Sequence, residues 1–95
     1  MVERIFTVKG RLGLHARAAA KLVRVANQFE SHLSLERVDD KSHADAKSIL
    51  SVLMLAASCG TALRVVAEGP DESQAMKALD VLFSDGFGET EMEKN

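Results

Sequence analysis

Apolar and polar positions along the chain fall into seven segments of distinct period. Arg4 to Lys9 (RIFTVK) places Ile5, Phe6 and Val8 in a β-prone run and predicts a strand. Gly10 and Gly13 then punctuate a loop. From Ala16 to Phe29 the residues Ala19, Leu22, Val23, Ala26 and Phe29 form one helical stripe. Leu33, Leu35 and Val38 suit a second strand, Asp39 to Ser42 a turn, and His43 to Ala46 a short third strand. Ser48 can open a second helix running to about Ser58, with Gly60 as its left-handed stop. Leu63 to Ala67 (LRVVA) predicts a fourth strand. Gly69 to Glu72 is a turn into a third helix, and Asp71 with Gln74 has capping-box spacing. Ala75, Ala78, Leu79, Leu82 and Phe83 form the buried face of that helix. Gly86 stops it, and the charged tail over 89–95 is expected to fray.

The order is βαββαβα with short connections. Such connections favour a mostly antiparallel sheet with helices on one face, an α+β two-layer sandwich. Periodicity does not fix the strand order. A chain of 95 residues with no repeat or composition shift forms one domain, residues 1–95.

Charge and composition then exclude whole classes of function. Lys and Arg total 12 against 14 Asp and Glu, a net charge of −2, so nothing asks for nucleic acid. The chain has no Trp or Tyr, and platforms for stacking bases are nearly absent. Cys59 stands alone, too little for an internal disulfide or a cysteine-built zinc site. It is expected to be a small packed side chain near a helix end. His32 and His43 show no metal-ligand spacing with it and read as structural or exposed, so no metal is expected. The longest apolar stretch, Ile49 to Ala57, is nine residues, too short to span a bilayer. Met1-Val2-Glu3-Arg4 is charged at once, and a cytoplasmic protein is expected. No nucleotide-binding glycine motif is present, which argues against an ATP-using activity of its own.

The chemistry concentrates in Gly13-Leu14-His15-Ala16-Arg17. His15 lies where a glycine-punctuated loop meets a helix start. The first N–H groups of a helix lack partners and carry positive potential, so the backbone of Ala16 and Arg17 offers an anion site suited to phosphate. The same potential favours a neutral, nucleophilic imidazole. Arg17 adds a permanent cation able to reach a phosphoryl oxygen. A nucleophile, unpaired amides and a guanidinium are what phosphoryl transfer asks of a protein. The plainer reading is a histidine cap beside a surface arginine.

The second helix is apolar nearly all round. If Val52, Leu55 and Ala56 face the sheet, then Ile49, Leu50, Leu53 and Met54 point outward as a patch for a partner. Arg17, Lys21 and Arg24 make a basic stripe on the first helix, able to steer an acidic partner. Ser48 reads as a helix N-cap.

GLHARAAAKLV resembles the active-site signature of the HPr family, the histidine phosphocarriers of bacterial phosphotransferase systems. Lys47 to Leu55 (KSILSVLML) is similar to the second-helix motif of the family, and Gly60, Val66 to Gly69, Asp71 and Glu72 fall in its register. The resemblance covers nearly the whole chain. The tail Phe83 to Glu89, Leu12 and the long hairpin turn are similar to the nitrogen-related branch, NPr. The resemblance implies an open-faced sandwich of four antiparallel strands and three helices. It implies that His15 is phosphorylated at Nδ1 by enzyme I using phosphoenolpyruvate, with Arg17 on the phosphoryl group, and that an EIIA protein then accepts it. It also implies that the apolar patch contacts enzyme I and EIIA. By the same resemblance Ser48 matches a serine modified by HPr kinase/phosphorylase in some members. The protein is then expected to be a cofactor-free monomeric relay, not an enzyme by itself. Its alternative is a regulatory HPr/NPr-like protein read by its phosphorylation state at His15 or Ser48. Two departures stand out. Ala18 occupies the position after the arginine where the family usually has proline, and Leu12 replaces a small polar residue.

Overall fold

The structure, a computed structural model, describes residues 1–88. The expected fraying of 89–95 lies outside the described residues. The strands are β1 (Val2–Thr7), β2 (His32–Arg37), β3 (His43–Asp45) and β4 (Ala62–Glu68). The helices are α1 (Ala16–Ala26), α2 (Ile49–Met54) and α3 (Glu72–Ser84), followed by a 3-10 turn over Gly86–Gly88. The order is βαββαβα, as predicted.

The strands form one sheet ordered β1-β4-β2-β3, every neighbouring pair antiparallel. β4 lies inside the sheet, between β1 and β2, and alternates cleanly. Leu63, Val65 and Ala67 are buried beneath the helices, while Arg64 and Val66 face the open side. Leu33 and Leu35 of β2 join them in a core that also takes Ala18, Ala19 and Leu22 of α1, and Ala75, Met76, Leu79 and Phe83 of α3. The helices thus cover one face of an open-faced α+β sandwich.

The element ends differ from the predicted ones for local reasons. β1 begins two residues early, because its ladder with β4 runs back to Val2 opposite Ala67. Beyond Thr7, Val8 turns its backbone to Gly60 and Thr61 instead. Within β1, Phe6 faces the helices and stacks on Phe83 at 4.8 Å, whereas Ile5 is exposed on the open face. α1 stops at Ala26; beyond it the N–H groups of Gln28 and Phe29 bond only three residues back, to Val25 and Ala26, and Phe29 is half-buried outside the helix.

α2 ends at Met54, well short of Ser58. Ala56 takes a left-handed backbone, φ 52°, and that breaks the helix. Gly60, φ 94°, therefore serves the loop into β4 and not the helix end. Val52 and Leu55 are buried as expected, but Ala56 is exposed and Ala57 takes the buried place. The capping box of α3 is absent too. Asp71 occupies the N-cap without a side-chain bond to the helix, and the carboxylate of Glu72 accepts the Gly69 N–H at 3.1 Å.

Candidate functional site

His15 is the N-cap of α1, with extended backbone (φ −76°, ψ −177°). Its Nδ1 accepts the N–H of Arg17 at 3.3 Å, and its carbonyl accepts the N–H of Ala19 at 2.8 Å. A nitrogen that accepts carries its lone pair there, so a neutral ring in this pose would hold its proton on Nε2. This acceptor nitrogen points into the helix N-terminus. An anion formed on Nδ1 would meet N–H donors and the positive end of the helix. Arg17 itself is exposed, while Ala18 behind it is fully buried. The helix starts at Ala16 without the help of a proline at position 18.

A second loop fixes the loop that carries His15. Gly13 has φ 69°, and a Cβ there would come within 2.6 Å of the Ala57 carbonyl. The next residue, Leu14, is buried and donates its N–H to that carbonyl at 2.8 Å. Sequence reading finds the glycine but not the contact, since Ala57 carries no distinguishing side chain.

Ser48 is the N-cap of α2, and its Oγ accepts the Ser51 N–H at 3.3 Å. The Lys47 ammonium donates to the Phe29 carbonyl at 2.7 Å, and the Asn27 amide reaches the Lys47 carbonyl at 3.2 Å, tying α2 to the end of α1. Ile49, Leu50, Leu53 and Met54 are all exposed; Leu50 shows 65% of its surface and Met54 76%. Leu12, in the His15 loop, is exposed as well. Of the basic stripe, Arg17 and Arg24 are exposed. Lys21 is half-buried, and its ammonium donates to the Phe87 carbonyl at 2.7 Å.

Cys59 is exposed, not packed, with its thiol 3.7 Å from the Lys9 carbonyl. His43 lies on the open sheet face, 3.3 Å from Glu36. Among the described residues no cluster of His, Cys, Asp and Glu is placed to hold a metal ion. None of the described helices is long and apolar enough to cross a membrane.

An acceptor nitrogen at a helix N-terminus, on an open-faced βαββαβα sandwich, is an arrangement suited to carrying a phosphoryl group. Comparison with known proteins agrees. Residues 2–85 match the family model for the HPr component of the phosphotransferase system, described by its phosphorylation site. The phosphocarrier protein HPr of Cupriavidus necator is 45% identical over 91 residues, 96% of this chain and the whole of that protein. The crystal structure of an HPr from Thermoanaerobacter tengcongensis superposes with a TM-score of 0.88 at 40% identity, covering 94% of this chain and 98% of that one. Crh of Bacillus subtilis, a catabolite repression protein crystallised as a domain-swapped dimer, gives a TM-score of 0.70 at 38% identity, covering 90% and 95%. The chain belongs to the HPr family of phosphocarriers of the phosphotransferase system.

Proposed function

We propose that this chain relays a phosphoryl group from enzyme I, charged by phosphoenolpyruvate, to an EIIA protein through His15. The observation that carries this reading is the Nδ1 lone pair of His15 turned into the N-terminus of α1, 3.3 Å from the Arg17 N–H. In the first step the P–N bond on enzyme I breaks as the His15 Nδ1–P bond forms, and the ring proton stays on Nε2. The backbone N–H groups of Ala16 and Arg17 and the Arg17 guanidinium take up phosphoryl charge. In the second step Nδ1 leaves and the acceptor on EIIA gains the phosphoryl group. Ile49, Leu50, Leu53 and Met54 supply the apolar contact for both partners, and Arg24 with Arg17 supplies steering charge. The carrier acts as a cytoplasmic monomer. The Arg4–Asp80 ion pair (2.8 Å) and the Phe6–Phe83 stack hold β1 to α3.

The test is intact-mass spectrometry after incubation with phosphoenolpyruvate and enzyme I, with His15→Ala in parallel. A single acid-labile adduct on the native chain alone is expected. No adduct, while a known carrier is labelled alongside, overturns the reading.

A regulatory layer at Ser48 has its own support. Its hydroxyl caps a helix whose next two residues, Ile49 and Leu50, are exposed apolar side chains. A phosphate there would add a charge of about −2 beside the patch and oppose docking without unfolding the helix. HPr kinase/phosphorylase with ATP should then label the native chain but not Ser48→Ala. Equal labelling of both removes this layer.

A further inference from the structure

We infer that Arg37 is a positioning residue for His15, acting through the backbone of the loop between α2 and β4; this rests on His15 being the phosphoryl acceptor. Arg37 ends β2, and its side chain is mostly buried. Asp39 grips one edge of the guanidinium, Nε to Oδ1 at 3.0 Å and Nη2 to Oδ2 at 2.8 Å. That leaves Nη1 aimed at α2, where it donates to the carbonyls of Leu55 at 3.1 Å and Ala56 at 3.0 Å. These carbonyls lie past the last turn of the helix, where no helical N–H can reach them.

The next carbonyl in the chain, that of Ala57, accepts the Leu14 N–H. Three consecutive carbonyls therefore bridge the hairpin to the residue before His15. The first two are held by Arg37, and the third holds Leu14. The bridge passes through Ala56, whose left-handed backbone (φ 52°) is one that alanine disfavours. Arg37 holds this peptide in place. Without it, Ala56 is free to relax toward ordinary backbone angles, and the Ala57 carbonyl turns away from Leu14. Glycine at position 56 would adopt the same conformation without that steric cost.

Three carriers test this: the native chain, Arg37→Gln, and Arg37→Gln with Ala56→Gly. Two quantities are read: the rate of phosphoryl uptake from enzyme I and the hydrogen exchange of the Leu14 amide, with the Val65 amide of central β4 as control. For Arg37→Gln, uptake should still occur at His15 but roughly 3- to 10-fold slower, as misplacement of a reacting group predicts. The Leu14 amide should exchange about 10-fold faster while Val65 is unchanged, the mark of a local opening. Adding Ala56→Gly should restore both, which a generally weakened fold would not show. Native rate and native Leu14 exchange in Arg37→Gln overturn the proposal, and so does failure of the glycine to restore them. If the native chain takes up no phosphoryl group, the His15 reading fails by itself, and the exchange data still decide whether Arg37 holds the loop.

Discussion

Asp71 reaches back over forty residues of chain to Ser31, and the two residues satisfy each other. The Asp71 carboxylate accepts the N–H of Ser31 at 2.9 Å and its hydroxyl as well, while the Asp71 N–H donates to the Ser31 Oγ at 3.2 Å. The same carboxylate accepts the Glu30 N–H at 3.0 Å. Ser31 is 1% exposed, and Gly69 lies so close that a Cβ there would come within 2.6 Å of it. The lock joins the end of the α1–β2 turn to the start of α3. Ser31→Ala leaves buried groups short of a partner and should cost about 1–2 kcal/mol of stability. Urea unfolding followed by far-ultraviolet circular dichroism measures this; an unchanged midpoint would show that the lock contributes nothing net.

The same bonds set the acid stability. Hydrogen bonds from the Ser31 hydroxyl, and next from the Glu30 N–H, hold the Asp71 carboxyl below its ordinary value. The Arg37 guanidinium holds that of Asp39 down from 3.8 to about 2. Both groups bind protons less readily folded than unfolded. Their contribution is therefore whole above the ordinary value of 3.8 and is lost as pH falls below it, for Asp39 toward about 2. The urea midpoint should hold steady from neutral pH down to about 5 and drop between about 4 and 2. Asp71→Asn should flatten part of that drop. A slope identical to the native one would mean that Asp71 ionises alike in both states.

The left-handed backbone of Ala56 was invisible to pattern reading, and so was the residue that holds it. The order of elements and the start of α1 after His15 were readable because each rests on local period or on a helix start. The β1-β4-β2-β3 order was not, because side-chain alternation is the same whichever strand lies alongside. The early end of α2 was not, because an apolar run through Ala57 continues the helical pattern while the break is made by a backbone angle. Arg37 sits in a strand pattern, and its partners are backbone carbonyls 18 and 19 residues away. The capping-box spacing at Asp71 misled for a similar reason. A local pairing lost to a distant and more buried one.

Replacing Ala56 alone by glycine should stabilise the protein. The left-handed backbone costs an L-residue about 1–2 kcal/mol, part of which the greater chain entropy of unfolded glycine offsets. A net gain near 1 kcal/mol is expected, seen as a higher Tm by calorimetry. A lower Tm would show that the Ala56 conformation carries no strain.

The exposed face of α2 should matter to partners and not to the fold. Leu50 and Met54 point outward, so Leu50→Asp or Met54→Asp should change stability by no more than about 0.5 kcal/mol. Each should lower kcat/KM for phosphorylation by enzyme I by about tenfold or more, mostly through KM, since a charge would be buried in the contact. Full activity in both variants would place the docking surface elsewhere.

The basic stripe divides in two. Arg24 is exposed, whereas the Lys21 ammonium is engaged with the Phe87 carbonyl and holds the 3-10 turn against α1. The two cations should therefore fail in different experiments. Arg24→Gln should leave Tm unchanged but slow uptake from enzyme I at low salt, and the deficit should fade as salt rises, because a steering charge acts through the screened field. Lys21→Met keeps much of the aliphatic stem and loses the hydrogen bond. It should lower stability by about 1 kcal/mol, and its effect on uptake should depend little on salt. A salt-dependent loss of equal size in both variants would mean that Lys21 leaves the Phe87 carbonyl to meet the partner, and the stripe would then act as a single surface.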